Sequence, residues 1–274
     1  MSDAGRRLEE TRGRVDAETR REETSESSET ISHHAPVSSA PRVAASPRPR
    51  VSSSSLRKRR RQSAICTVFE DEARARGFQF IAGVDEVGRG ALAGPVVAAA
   101  VILDPEKPLP YCLDDSKKLT ALQRERIANE ILQTAICCAV GQIEADEIDR
   151  VNILQATRLA MMEALGQLTP SADFLLIDAI QLKESKLPQK AIIGGDSVSA
   201  SIAAASIVAK TYRDSLMRAF HELYPQYGFA HHVGYGTRAH WEALNEHGPC
   251  PLHRKSFHGV LADGESKGKA KGKR

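Results

Sequence analysis

Asp85 and Glu86 stand side by side after the short apolar run Ile81 to Val84, and Gly88-Arg89-Gly90 follows at once. Successive strand residues point to opposite faces, so a sheet covered on either face must take one of these carboxylates inward. An inward carboxylate is costly unless a cation meets it. The pair therefore reads either as a strand end in water or as part of a metal site. Gly88 and Gly90 leave main-chain N–H groups uncovered beside the cationic Arg89, a natural seat for a phosphate or sugar. Asp178 ends a second apolar run, Phe174 to Ile177, where open α/β sheets place ligands; a plain loop residue is the alternative. Asp196 lies in the turn Gly194 to Ser197, ahead of a long Ala-rich helix, where an acid is also favoured by the helix dipole. Four hard oxygen donors without thiol partners suit Mg²⁺ or Mn²⁺. Two such ions about 3.5–4 Å apart activate a water and stabilise the leaving oxygen of an in-line displacement, which is phosphodiester hydrolysis. No Ser-His-Asp arrangement or P-loop competes.

The elements that must position these acids are legible in order. Phe80 to Val84 is an expected strand, and Val96 to Leu103 a second, apolar throughout as befits a central strand covered on both faces. Their short connection favours antiparallel pairing. Thr120 is an expected N-cap, with Gln123 completing a capping box. The helix it opens runs to about Gln133, with Leu122, Ile127 and Ile131 expected on its inner side. Ile136 to Ile143 reads as a strand whose Cys137 and Cys138 are small core residues. A short acidic helical turn spans Glu144 to Asp149. Asn152 opens an amphipathic helix carrying Leu154, Met161 and Leu165. The strand ending at Asp178 is expected to add in parallel. Ala191 to Ile193 is another strand, and Ser201 to about Leu223 one long helix. Small residues let that helix lie close to the sheet, and Lys210, Arg213 and Arg218 give it a basic side. Thr237 caps a last helix through Glu246. His231 and His232 invite a metal reading, but no acidic partner is near in sequence.

The chain has 274 residues and a net charge of +3, which alone argues neither for nor against nucleic acid. Basic residues gather at both ends. Charged residues are 27% and aromatics 5%, so Ala, Val, Ile and Leu must build the core. No apolar run reaches the roughly 18 residues of a membrane span, and no secretory h-region is seen. Five cysteines without a C-x-x-C pair favour a reducing compartment over a disulfide framework or zinc knuckle. Residues 1–66 read as a disordered Ser-rich and basic extension, 67–262 as the folded domain, and 263–274 as a disordered Lys/Gly tail. The cluster Leu56-Arg57-Lys58-Arg59-Arg60-Arg61 is either a sequence-blind phosphate tether or a solvated tail.

Several motifs together resemble the ribonuclease HII family over about residues 79 to 262. They are the Asp85 to Gly90 turn, Asp115-Ser116-Lys117-Lys118-Leu119, Ile177-Asp178, and Gly195-Asp196 before Ala204 to Lys210. Arg213-Asp214 and the loop Gly234 to Thr237 complete the set. The resemblance implies a ribonuclease H-like α/β fold, a mixed sheet flanked by helices with a C-terminal helical part. It implies that Asp85, Glu86, Asp178 and Asp196 are the catalytic, metal-binding acids, holding two Mn²⁺ or Mg²⁺ ions in the substrate complex. It assigns recognition of a ribose followed by a deoxyribose to Gly88, Arg89, Gly90 and Tyr235; a 2′-OH separates RNA from DNA by hydrogen bonding. Asp214 is expected to be structural.

The implied activity is endonucleolytic cleavage of the RNA strand of RNA–DNA hybrids, including single ribonucleotides in duplex DNA, with 3′-hydroxyl and 5′-phosphate products. The implied setting is a cytoplasmic monomer, without membrane attachment, acting in ribonucleotide excision repair and on replication primers. A sister enzyme needing a run of ribonucleotides, and a catalytically dead nucleic-acid-binding protein, are the rival readings. Two departures stand out: Ala179 replaces the family's usual Gly, and Gly194 replaces a frequent Lys. The N-terminal extension has no counterpart in the compact form of the family.

Overall fold

A computed structural model describes residues 65–261. The expectations for the N-terminal extension, its basic cluster and the Lys/Gly tail lie outside these residues. Within them, strand β1 (Ile81–Val87) is central because its Ala, Gly and Val residues can be covered on both faces. It pairs antiparallel with β2 (Val96–Ile102), in register Asp85 opposite Ala99. On its other side it pairs parallel with β4 (Phe174–Asp178), in register Val84 beside Ile177. β3 (Cys137–Ile143) and β5 (Gln189–Ile192) complete a mixed sheet of order β3-β2-β1-β4-β5. The parallel β1/β4 pair brings Asp85 and Asp178 to one end of the sheet.

Helix α1 (Val68–Ala75) precedes β1, α2 (Ala121–Thr134) precedes β3, and α3 (Ala145–Val151) and α4 (Ile153–Gly166) lead into β4. The longest helix, α5 (Ala200–Leu223), is followed by the short α6 (Phe229–His232) and by α7 (Arg238–His247). α4 covers the face carrying Ala82 and Val84, and α5 covers the opposite face, carrying Val97 and Ala99. Two glycines set these distances. A Cβ on Gly83 would lie 2.1 Å from the Ser201 main-chain carbon of α5, and one on Gly141 would lie 2.2 Å from the Ala160 carbonyl oxygen of α4. The Ala-rich start of α5 is buried throughout, as its composition predicts.

The Thr120 capping box forms as expected, and Asn152, at φ 73°, caps α4 by accepting from the Leu154 and Gln155 N–H groups. Helix α1 was not expected. Its Glu70 is buried and accepts from the Ser199 and Ser201 hydroxyls and the Ser201 N–H, so it closes the N-terminus of α5.

One expected inner residue is not inner. Leu122 is 78% exposed, because the buried stripe of α2 runs through Ile127, Ala128 and Ile131, and Leu122 falls outside it. Arg213, expected on the basic side of α5, is fully buried. Cys137 and Cys138 are half-buried against the two core faces.

Candidate active site at the end of the central strands

Alternation along β1 turns Asp85 toward α5 and Glu86 toward the other face, so each carboxylate enters a covered layer. Asp85 is only 5% exposed. Burial first, then the neighbouring Glu86 and Asp178 charges, push its carboxyl up to about 8; the nearby Ser206 hydroxyl offsets part of this. Glu86 is raised by burial, against the opposing pull of Arg89, whose Nη1 lies 2.9 Å from Glu86 Oε1. Its second oxygen, Oε2, is buried without a hydrogen-bond partner. Asp178 is raised by burial and by Asp196, while the Gly195 N–H donates to its Oδ1 at 2.7 Å.

Asp196 is buried in the 3₁₀ turn Gly195–Ser197. It is not the cap of α5, because Ser199 does that work by accepting from the Ile202 N–H. Instead the Lys117 ammonium donates to Asp196 Oδ2 at 2.7 Å. That hydrogen bond, more than any other influence, raises the Lys117 pKa, and the Asp115 and Asp85 charges add to it. The electrostatic couplings therefore join all four acids and Lys117 into one cluster. Lys117 had no role assigned from sequence, although its Asp-Ser-Lys-Lys-Leu motif was the signal that pointed to it.

As placed, no three Asp, Glu, His or Cys side chains among the described residues close around a common point. Arg89, the Gly195 N–H and Lys117 each draw one carboxylate aside. The donor set nevertheless fits a hard divalent cation. It is all oxygen, it is buried where like charges repel, and one oxygen is orphaned.

In the turn after β1, Gly88, at φ 90°, is buried, and a Cβ there would lie 2.3 Å from Arg213 Nε. Its lack of a side chain makes room for that guanidinium. Gly90 is exposed and a Cβ there would meet nothing, which leaves an open approach to the main chain. Arg89 is half-exposed, with its side chain on Glu86 and its carbonyl accepting from Arg254 Nη1.

The loop bearing Tyr235 docks on this turn. The Leu92 N–H donates to the Gly234 carbonyl at 2.8 Å, and the Tyr235 ring centroid lies 5.6 Å from Arg213 Cζ. Behind the loop runs a one-way hydrogen-bond relay. The Cys250 N–H donates to His253 Nδ1, leaving His253 Nε2 to donate to His240 Nε2 at 3.0 Å, and His240 Nδ1 to donate to the Tyr235 carbonyl. Burial, then the adjacent His240, pushes His253 down to about 4, and burial likewise lowers His240. His232 bonds main-chain groups of Tyr227 and Gly234 through its two ring nitrogens, so it has none left for a metal; His231 is exposed. Asp214 pairs with Lys210 and Arg124, as its structural reading requires.

The family model for ribonuclease HII matches residues 82–260. A ribonuclease HII of Chlamydia caviae is 54% identical over 192 residues, covering 70% of this chain and 90% of that protein. One from Desulfitobacterium hafniense is 57% identical over 181 residues, covering 66% and 69%. Among solved structures, the ribonuclease HII in a complex with PCNA from Archaeoglobus fulgidus superposes with TM-score 0.58 at 25% identity, covering 65% of this chain and 95% of that one. The ribonuclease H2 of Pyrococcus horikoshii superposes with TM-score 0.56 at 23% identity, covering 66% and 95%, a likeness of fold.

Proposed function

Because the chain belongs to the ribonuclease HII family, we propose that it cleaves the RNA strand of RNA–DNA hybrids and also incises at single ribonucleotides in duplex DNA. The family makes it a ribonuclease H-type endonuclease acting on RNA–DNA hybrids; the single-ribonucleotide incision and its 3′-hydroxyl and 5′-phosphate products are the finer reading. What supports the reading is that Asp85 and Asp178 end the neighbouring parallel strands β1 and β4, that the Gly195 N–H next to Asp196 donates to Asp178, and that Glu86 Oε2 is left unpartnered in the interior.

Asp85, Glu86, Asp178 and Asp196 would hold two Mg²⁺ or Mn²⁺ ions in the substrate complex, supplying activation of a water and stabilisation of the leaving 3′-oxygen. The acids' part is to gather negative charge where water is largely excluded, which strengthens every interaction there. The Lys117 ammonium offers positive charge to a non-bridging phosphate oxygen at the same end of the sheet. Gly90, open to solvent, lets the substrate approach the main chain closely, and Tyr235 offers its ring to the sugar that follows the ribose.

The catalytic unit spans residues 67–262, with the basic extension and tail adding phosphate contacts. The enzyme works as a cytoplasmic monomer in removing ribonucleotides from DNA. None of its described helices is long and apolar enough to cross a membrane.

The test is an incision assay on 5′-labelled duplexes bearing one or several ribonucleotides, with Mg²⁺ and with Mn²⁺. Incision of both substrates is expected. Cleavage of the multi-ribonucleotide duplex alone would favour the sister-enzyme reading, and none with either ion would remove the nuclease reading.

A further inference from the structure

Arg213 and Arg254 are both fully buried, yet neither faces a carboxylate within salt-bridge distance among the described residues. Their hydrogen bonds go to main-chain carbonyls. Arg213 donates through Nε to Pro95, through Nη2 to Ala93 and through Nη1 to Val233. Arg254 donates through Nε and Nη2 to Gly94 and through Nη1 to Arg89. The two forks thus span the substrate-facing turn after β1, the segment 93–95 and the loop that carries Tyr235. Buried guanidiniums are ordinarily neutralised by an acid, and carbonyl dipoles alone leave the net charge in place. Burial lowers Arg254 to about 9, which still leaves it a cation at neutral pH.

The glycines around these side chains leave no room for a Cβ. A Cβ on Gly88 would strike Arg213, one on Gly94 would lie 2.4 Å from Met217 Sδ, and one on Gly234 would lie 2.4 Å from the Ala93 carbonyl oxygen. The Arg213 guanidinium sits between Gly88 and the Tyr235 ring.

We propose that Arg213 and Arg254 are positioning residues that weld the Gly88–Gly90 turn to the Tyr235 loop at one fixed separation, and that their charge, met by no acid at salt-bridge distance among the described residues, lies behind the surface that nucleic-acid phosphate approaches. This rests on the reading that the turn and Tyr235 together recognise the ribose-to-deoxyribose step. A single ribonucleotide offers only one productive register, so a loosened separation harms it most. A run of ribonucleotides offers several registers and tolerates the same loosening better.

The experiment compares kcat/KM for a single-ribonucleotide duplex with that for an all-RNA strand hybrid, alongside affinity for a non-cleavable duplex at two salt concentrations. Arg254→Lys keeps the charge but not the fork; after its folding is confirmed by circular dichroism, activity on both substrates falls. The ratio drops at least tenfold further against the single ribonucleotide, through KM more than kcat, while duplex affinity stays within threefold. Arg254→Gln also loses affinity and gives a shallower salt dependence. Gly234→Ala leaves both guanidiniums in place but forces the loop off Ala93, and it reproduces the drop in ratio; it decides the matter if the arginine variants do not fold. An unchanged ratio in folded Arg254→Lys or in Gly234→Ala overturns the proposal. Tyr235→Ala separates the two levels: if it leaves the ratio unchanged, the recognition reading itself falls, whereas a shift there with none in Arg254→Lys sinks only the positioning role.

Discussion

Lys117 Nζ lies 2.7 Å from Asp196 Oδ2, joining a side chain that is 78% exposed to one that is 7% exposed. An exposed lysine can leave such a contact at little cost, so the pair is worth only about 0–1 kcal/mol to the fold. Its larger effect is on the site. Lys117→Met removes a positive charge that competes with a divalent ion for Asp196. The expected result is several-fold tighter Mn²⁺ binding in calorimetric titration of the substrate-free protein, with a higher KM for substrate. Unchanged ion affinity would mean that the ammonium does not oppose the ion.

Asp85 is buried beside two other acids. Asp85→Asn should lower cleavage by about 10³-fold or more while leaving hybrid binding largely intact. It should also raise thermal stability in chelator, by on the order of 1–2 kcal/mol, because the unfolded chain ionises this carboxyl freely whereas burial and its acidic neighbours hold it at about 8 in the fold. Normal cutting by the variant would show that the roles are wrongly assigned.

His253 titrates in the folded protein at about 4, below its ordinary 6.5. Between those values the unfolded chain binds the proton and the folded one does not. Stability is therefore fully present above pH 6.5 and falls as pH drops toward 4. A shift of that size corresponds to a loss of up to about 3 kcal/mol. Urea midpoints at pH 6.5, 5 and 4 should decline more steeply for the native protein than for His253→Asn. Parallel declines would show that the relay behind Tyr235 is not the acid-sensitive element.

Ala179, directly after Asp178, has φ 54°. Left-handed backbone costs an L-residue about 1–2 kcal/mol, and glycine's extra chain entropy returns part of that. Ala179→Gly should therefore raise stability by about 0.5–1 kcal/mol in thermal unfolding. A lower melting temperature would mean that the alanine methyl makes compensating contacts.

Much of this was readable from residue order. The unbroken apolar run of β2, the Thr120–Gln123 capping box and the parallel addition of β4 all follow from local pattern. The four acids stood out because each ends or interrupts an apolar element, and the family motifs tied them together. What was not readable depends on partners distant in sequence. Nothing near Arg213 distinguishes an arginine in solvent from one fully buried, since its acceptors are carbonyls of Ala93, Pro95 and Val233. That the missing side chain of Gly88 also makes room for Arg213 is likewise invisible in sequence. Leu122 lies off the α2 stripe, an error of phase rather than of element. Glu70 escaped notice because its donors at the start of α5 lie about 130 residues away, Ser199 at 129 and Ser201 at 131.

The pairing of β1 with β4 has a bearing on biosynthesis. Even at their threshold the two strands are tied by the Phe80 N–H and the Asp173 carboxylate, 93 residues apart. Closing so wide a chain loop is slow, and it comes late in ordering. On the proposed assignment of the four acids, a polypeptide that has made only its first strands lacks Asp178 and Asp196, so cleavage competence waits on the closing of this long loop.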